Sequence, residues 1–152
     1  MYSYFVMGTP VPEGSMKAMP YIKKSTGRMG VNMIHQSNKL LPWRDSISQY
    51  ILETNPEFKE YMPYPKGTPV MISLTFNILR PKSVSSKKRP EVTVKPDLDK
   101  LTRAVIDAMT GIMYDDDCQV IHILAKKQYV DFEKLEGVYI EILLPEELPG
   151  QT

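Results

Sequence analysis

Between Lys95 and Gln119 the chain reads KPDLDKLTRAVIDAMTGIMYDDDCQ. Asp97 and Asp99 stand two residues apart at its start, and Asp115, Asp116 and Asp117 run consecutively near its end. Crowded carboxylates repel, so such a set normally holds a divalent cation or keeps one group protonated. A helix start and the loop after that helix are expected to bring several of these acids to one end of the element. Three chemistries compete for them. An aspartate just ahead of a helix is commonly an N-cap, and acids in a first turn suit the helix dipole. A calcium loop fails on spacing, because Leu101 occupies the next ligand position and the usual glycine and terminal glutamate are missing. A catalytic Mg²⁺ site needs a few carboxylates from separate places, with room left for phosphate and water. The pair and the run supply two such places, which raises the metal reading above a cap or a turn.

Arg103 lies one helical turn after Asp99, and Asp107 one turn after Arg103. As an exposed ion pair the first two would contribute only about 0.3–0.5 kcal/mol. Facing a metal pocket, Arg103 would instead stabilise charge on a phosphate, with Asp107 holding it in place. Lys126 and Lys127 fall in the next apolar stretch, where strand alternation lets only one of them approach the pocket. Cys118 is read as a small, semi-buried residue whose thiol the neighbouring acids push up in pKa. A single cysteine excludes an internal disulfide and fits a reducing, cytoplasmic setting; with only His35 and His122 beside it, a zinc site has no ligand set.

The formal net charge of +1 conceals a segregated surface. Lys17, Lys23, Lys24, Arg28, Lys39 and Arg44 fall in a stretch, Gly14 to Arg44, that holds no acidic residue. Lys82, Lys87, Lys88, Arg89 and Lys95 form a second basic run, opposed only by Glu91. Such patterning speaks to partners more than to fold, and an acidic pocket within a basic surface is what a metal-dependent nuclease requires. No apolar run is long enough to span a bilayer, and residues 1–8 read as a first strand rather than a secretory signal.

The elements follow from periodicity. Tyr2 to Met7 predicts a strand; Ser15 to Gly30 a loop or loose hairpin; Val31 to His35 a short strand. Ser37 is expected to cap a helix running to about Thr54, with Leu40, Leu41, Trp43, Ile47, Tyr50, Ile51 and Leu52 as its apolar positions. Val70 to Leu79 alternates cleanly as a strand buried on one face. Residues 82–96 lack periodicity and suggest a mobile basic arm. Leu98, Leu101, Val105, Ala108 and Met109 form one buried helical stripe, ending at Thr110-Gly111. Val120 to Val130 and Val138 to Leu144 read as two strands of a hairpin, turning near Glu136-Gly137. At 152 residues the chain suits one α+β domain over 1–152, a mixed β-sheet with two main helices packed on it.

The run PDLDKLTRAVIDAMTG…DDDCQV resembles the RusA-type endodeoxyribonucleases, Holliday junction resolvases of phages and prophages, whose pattern is D-x-D-N-x-x-K, an internal D-A, then D-D-x-Q-V. Asp97 and Asp99 match the first acids, Asp107-Ala108 the internal pair, and Asp116-Asp117-x-Gln119-Val120 the last element. Pro10 and Pro12 sit where the family has a G-x-P-x-P opening. The resemblance implies a homodimer that binds four-way and other branched DNA and nicks two symmetry-related strands with Mg²⁺, or Mn²⁺ as a substitute. It implies a metal triad of Asp97, Asp99 and Asp117, with Asp116 a fourth acid nearby and Arg103 in the catalytic set. Lys17, Lys23, Lys24, Arg28, Lys82, Lys87, Lys88, Arg89, Lys95, Lys100 and Lys126 would contact DNA. Two positions depart from the pattern: the family's lysine is Arg103 and its asparagine is Lys100. Arginine neutralises phosphate but does not give up its proton. Two further readings follow, a nuclease of broader specificity for forks and flaps, and a junction-binding protein with weakened catalysis.

Overall fold

The alternation at Val70, Ile72, Leu74 and Phe76 forms β4 (Val70–Leu79), with those four side chains fully buried. The computed structural model that contains it describes residues 1–14, 16–35 and 38–147, with the side chains of 16–19 and 32–35 outside that description. Before β4 come β1 (Tyr2–Met7), β2 (Met16–Ile22), β3 (Met29–His35), α1 (Leu40–Thr54) and the short α2 (Phe58–Tyr61); after it come α3 (Leu98–Met109), β5 (Val120–Val130) and β6 (Gly137–Leu143). The main sheet is mixed, in the order β1-β6-β4-β5, with β4 parallel to β5 and every other pair antiparallel. The α+β class with a mixed sheet is therefore observed. β2 and β3 make a separate antiparallel ribbon where a loose hairpin was expected.

α1 buries Leu40, Trp43, Ile47 and Ile51, one stripe of the apolar positions, while Leu41 and Tyr50 face outward. α3 buries Leu101, Ala104, Val105, Ala108 and Met109. Both helices join Tyr4, Val6, Ile72, Leu74, Phe76, Val138, Ile140 and Ile142 in one core. The Ser48 hydroxyl donates to the Ala108 carbonyl at 2.7 Å and ties α1 to the end of α3. Ser37, expected as the cap of α1, lies outside the described residues; α1 follows Lys39 with no side-chain cap.

The expected hairpin of the last two strands is not formed. Both strands exist, but β4 lies between them. Periodicity identifies a strand and its buried face without naming its neighbour, and β4 takes both. The Glu136 carboxylate instead pins the crossing, accepting from the Thr9 hydroxyl at 2.8 Å and the Leu79 N–H at 3.1 Å. Gly137 follows at φ +156°, pressed so close to β1 that a Cβ would overlap the Val6 carbonyl oxygen. Gly137→Ala is expected to destabilise the protein by about 2–4 kcal/mol, since neither strand can yield without breaking ladder bonds. Urea denaturation measures it; a loss under about 0.5 kcal/mol, the scale of a neutral surface change, would show that the edge can shift.

Candidate active site

The β4–α3–β5 unit is a parallel pair joined across a helix, the connection that parallel strands demand. α3 packs along β5 and leaves a groove of about 880 Å³ between them. Its apolar floor comes from Leu98, Ile106, Val120, Ile123 and Ala125, and its polar rim from Asp99, Thr102, Arg103, Asp107 and Asp117. The recurrence of Asp99, Arg103 and Asp107 every fourth residue thus becomes one charged edge along the groove. A second recess, lined by Arg44, Asp107, Thr110, Asp115, Asp116 and Asp117, shares Asp107 and Asp117 with the first.

The acid run divides its labour. Asp116 is an N-cap: its carboxylate accepts from the Cys118 N–H at 3.0 Å, and its own N–H donates to the Gln119 side chain at 2.9 Å. This capping box starts a single 3-10 turn, Asp117–Gln119. The backbone bond from Cys118, above all, holds the Asp116 carboxyl below its ordinary pKa. Asp116 in turn raises the exposed Cys118 thiol, which the sequence placed as semi-buried. Buried Gln119 spends its amide on the Tyr64, Pro65 and Thr68 carbonyls, at 3.3, 2.9 and 3.1 Å. Asp115 pairs with Lys66 at 3.7 Å. Asp117 is left exposed at the groove.

Asp97 occupies the N-cap of α3 with no side-chain cap bond, so its carboxylate is not consumed as a cap. Its recorded ion-pair partner is Lys100, at 3.7 Å. Asp97 and the Asp115–Asp117 run do not meet at one end of a common element. Asp97 stands at the start of α3, whereas Asp115, Asp116 and Asp117 line a recess with Asp107 and Thr110 near its other end. Among the described residues no three His, Cys, Asp or Glu side chains converge closely enough to hold a metal ion. Asp99 and Asp117 nevertheless line one open groove, and an all-oxygen donor set suits a hard cation. Mg²⁺ commonly takes one or two carboxylates and completes its shell with water and substrate phosphate. The donor chemistry fits, although one chain holds no assembled triad.

The expected DNA contacts scatter over several faces. Lys23, Lys24 and Arg28 are exposed at the tip of the β2–β3 ribbon, and the Lys17 side chain lies outside the described residues. Lys82, Lys87, Lys88 and Lys95 are exposed on 82–96, which has neither helix nor strand. That segment, expected as a mobile arm, contacts the sheet through Arg89 and Val92. Arg80 donates to the Arg89 carbonyl at 2.6 Å and stacks 4.3 Å from the Tyr129 ring, Val92 is buried, and half-buried Arg89 reaches the Tyr129 hydroxyl at 3.4 Å. Lys126 shares the helix-free sheet face with Thr75 and Tyr139, away from the groove. Lys127, on the helix side, donates to the Val94 and Pro96 carbonyls at 2.8 Å each and so seats the start of α3 on β5. Arg44 was noted from the sequence as part of the basic stretch and not as a site residue. It lines the acidic recess and lies 4.0 Å from Glu13, a juxtaposition of distant segments that no local spacing announces.

Acids and an arginine along an open groove are side chains suited in chemistry to a hard cation and a phosphate. Residues 8–143 match the family model described as Endodeoxyribonuclease RusA, and the chain belongs to that family. It is also similar to an uncharacterized protein, YqaN, of Bacillus subtilis (strain 168), at 34% identity over 82 residues. That match covers 47% of this chain and 58% of YqaN, so the chain spans just over half the length of that relative. No helix among the described residues is long and apolar enough to cross a membrane.

Gln119→Leu is expected to cost about 2–4 kcal/mol, because three inward carbonyls lose their donor together. Thermal or urea unfolding reads the loss; stability equal to wild type would show that water replaces the amide.

Proposed function

We propose that this chain is a divalent-cation-dependent endonuclease that nicks branched DNA, four-way junctions above all, and works as a homodimer. The observation that carries the reading is the groove on which Asp99, Arg103, Asp107 and Asp117 come together in a member of the RusA family. Asp99 and Asp117 would hold the cation, with Asp97 recruited from the start of α3. When bound, such an ion supplies Lewis-acid polarisation of the phosphate and a more acidic water. Arg103 stays charged at every working pH, so it braces the scissile phosphate and does not serve as a base. Asp107, one turn on, orients Arg103. Lys100, engaged with Asp97, stands close to the same helix start and neutralises charge there. The exposed lysines of 82–95 track the backbone, which makes binding salt-sensitive and led by shape.

Two features support a dimer. β5 is an edge strand whose Ile121, Ile123 and Leu124 are exposed, and Ile123 lines the groove. A second chain docked along this edge strand would cover its exposed apolar side chains and bring further carboxylates toward an acid set that one chain leaves incomplete. Two equivalent sites also match a junction with two equivalent strands.

The test is cleavage of a labelled synthetic four-way junction in Mg²⁺, beside a matched linear duplex, a fork and a flap. Paired symmetric nicks confined to the junction are expected. Asp99→Asn and Asp117→Asn should each slow nicking by about 100-fold or more, beyond the usual loss for an outer-shell change. Asp116→Asn, which preserves the cap, should stay within about tenfold of wild type. Equal rates on all substrates would sink the junction preference. Junction binding without nicking, restored by Arg103→Lys, would assign the arginine as the cause of a weakened enzyme.

A further inference from the structure

The register of the β2–β3 ribbon sets Pro20 opposite Val31 and Ile22 opposite Met29. Side chains opposite one another share a face, and so do next-but-one residues along a strand. Pro20, Ile22, Met29 and Val31 therefore form one apolar face. Among the described residues it covers nothing: Ile22, Met29 and Val31 are 68%, 75% and 62% exposed, and every described side chain from Pro20 to Met29 is exposed. On the reverse face the Tyr21 ring lies where a Cβ on Gly30 would stand. The tip is a closed turn. The Lys23 N–H donates to the Arg28 carbonyl at 2.9 Å, the Gly27 N–H to the Lys23 carbonyl at 2.8 Å, and Gly27 takes φ +66°. It holds Lys23, Lys24 and Arg28 directly beyond the apolar face, within a stretch that lacks any carboxylate from Gly14 to Arg44.

A two-stranded ribbon is marginal alone in water, and an uncovered apolar quartet calls for a partner. The charge selects which. A second copy docked ribbon to ribbon would set Lys23, Lys24 and Arg28 against their own images, which repel. Nucleic acid offers phosphates to the cations and base faces to the apolar residues. Ile, Met and Pro are among the side chains that wedge between base steps, and a two-stranded ribbon fits the width of a groove.

We propose that the β2–β3 ribbon is a DNA-opening arm whose tip cations grip phosphates while Ile22 and Met29 wedge against unstacked bases at the branch point. This rests on the branched-DNA reading above and adds the contact by which the branch is sensed.

The experiment uses the full chain and a four-way junction carrying 2-aminopurine at the branch, beside a matched linear duplex. Binding of wild type should raise 2-aminopurine emission. Ile22→Ser with Met29→Ser should abolish most of that rise and weaken junction binding about tenfold, with duplex binding within about twofold, as loss of a base contact requires. Lys23→Ala, Lys24→Ala and Arg28→Ala together should weaken both substrates and flatten the dependence of log K on log salt by about 2–3. Equal thermal midpoints control for folding, and Met29→Ser alone serves if the double variant is unstable. Full emission and affinity in the apolar variant would overturn the wedge. Conversion of a wild-type dimer to a monomer would also overturn it, giving the face to a second copy. Wild type that nicks junctions while the variant unstacks them normally refutes the arm alone; wild type that neither binds nor nicks refutes the function beneath it.

Discussion

β4 governs this fold because it is paired on both edges and buried on one face. Its antiparallel neighbour β6 and parallel neighbour β5 cannot be reached by the same kind of connection. A parallel neighbour demands a long crossover, and the crossover here includes residues 80–97, α3 and the acid-rich loop that follows. α3 is thereby laid across the sheet beside the edge strand, with its apolar stripe in the core and its Asp99–Arg103–Asp107 edge at the groove. The candidate site is a consequence of that crossover.

The two ends of α3 are then clamped by side chains rather than by regular structure. At its start, Lys127 reaches from β5 to two carbonyls, those of Val94 and Pro96. Beyond its end, Gln119 gathers three carbonyls of the 64–68 loop and closes a capping box with Asp116. Buried Gln119 acts as a fixed point, since each of its bonds left unmade would cost the desolvation of a partner. The clamps explain why three adjacent aspartates do different work. One pairs with Lys66, one caps the turn, and one is released toward the groove.

Charge is distributed in keeping with a polyanionic substrate. Arg103 lines the acidic groove, while exposed lysines and Arg28 stand away from it, on the ribbon tip and on 82–95. Opposite charges kept apart in this way allow a phosphate backbone to be gripped at several points while carboxylates stay free for a cation.

Local pattern alone determined much of this protein. The alternation in β4 and the stripe in α3 name elements whose bounds match the structure, because burial of one face imposes a period that any reader of the residues can see. The acid pair, the acid run and the i,i+4 line of Asp99, Arg103 and Asp107 were equally legible, as was the resemblance they carry. Tertiary structure decided what periodicity leaves out. It placed β4 between β5 and β6, turned Lys127 rather than Lys126 toward the helices, brought Arg44 to the acids, and ordered the ribbon from a stretch low in apolar pattern. It also engaged Asp116 in a capping box while Asp117, assigned to the metal set by the resemblance, stayed on the groove. Each of these depends on which distant backbone groups compete for the same donor or the same strand edge, and a single segment holds no record of its competitors.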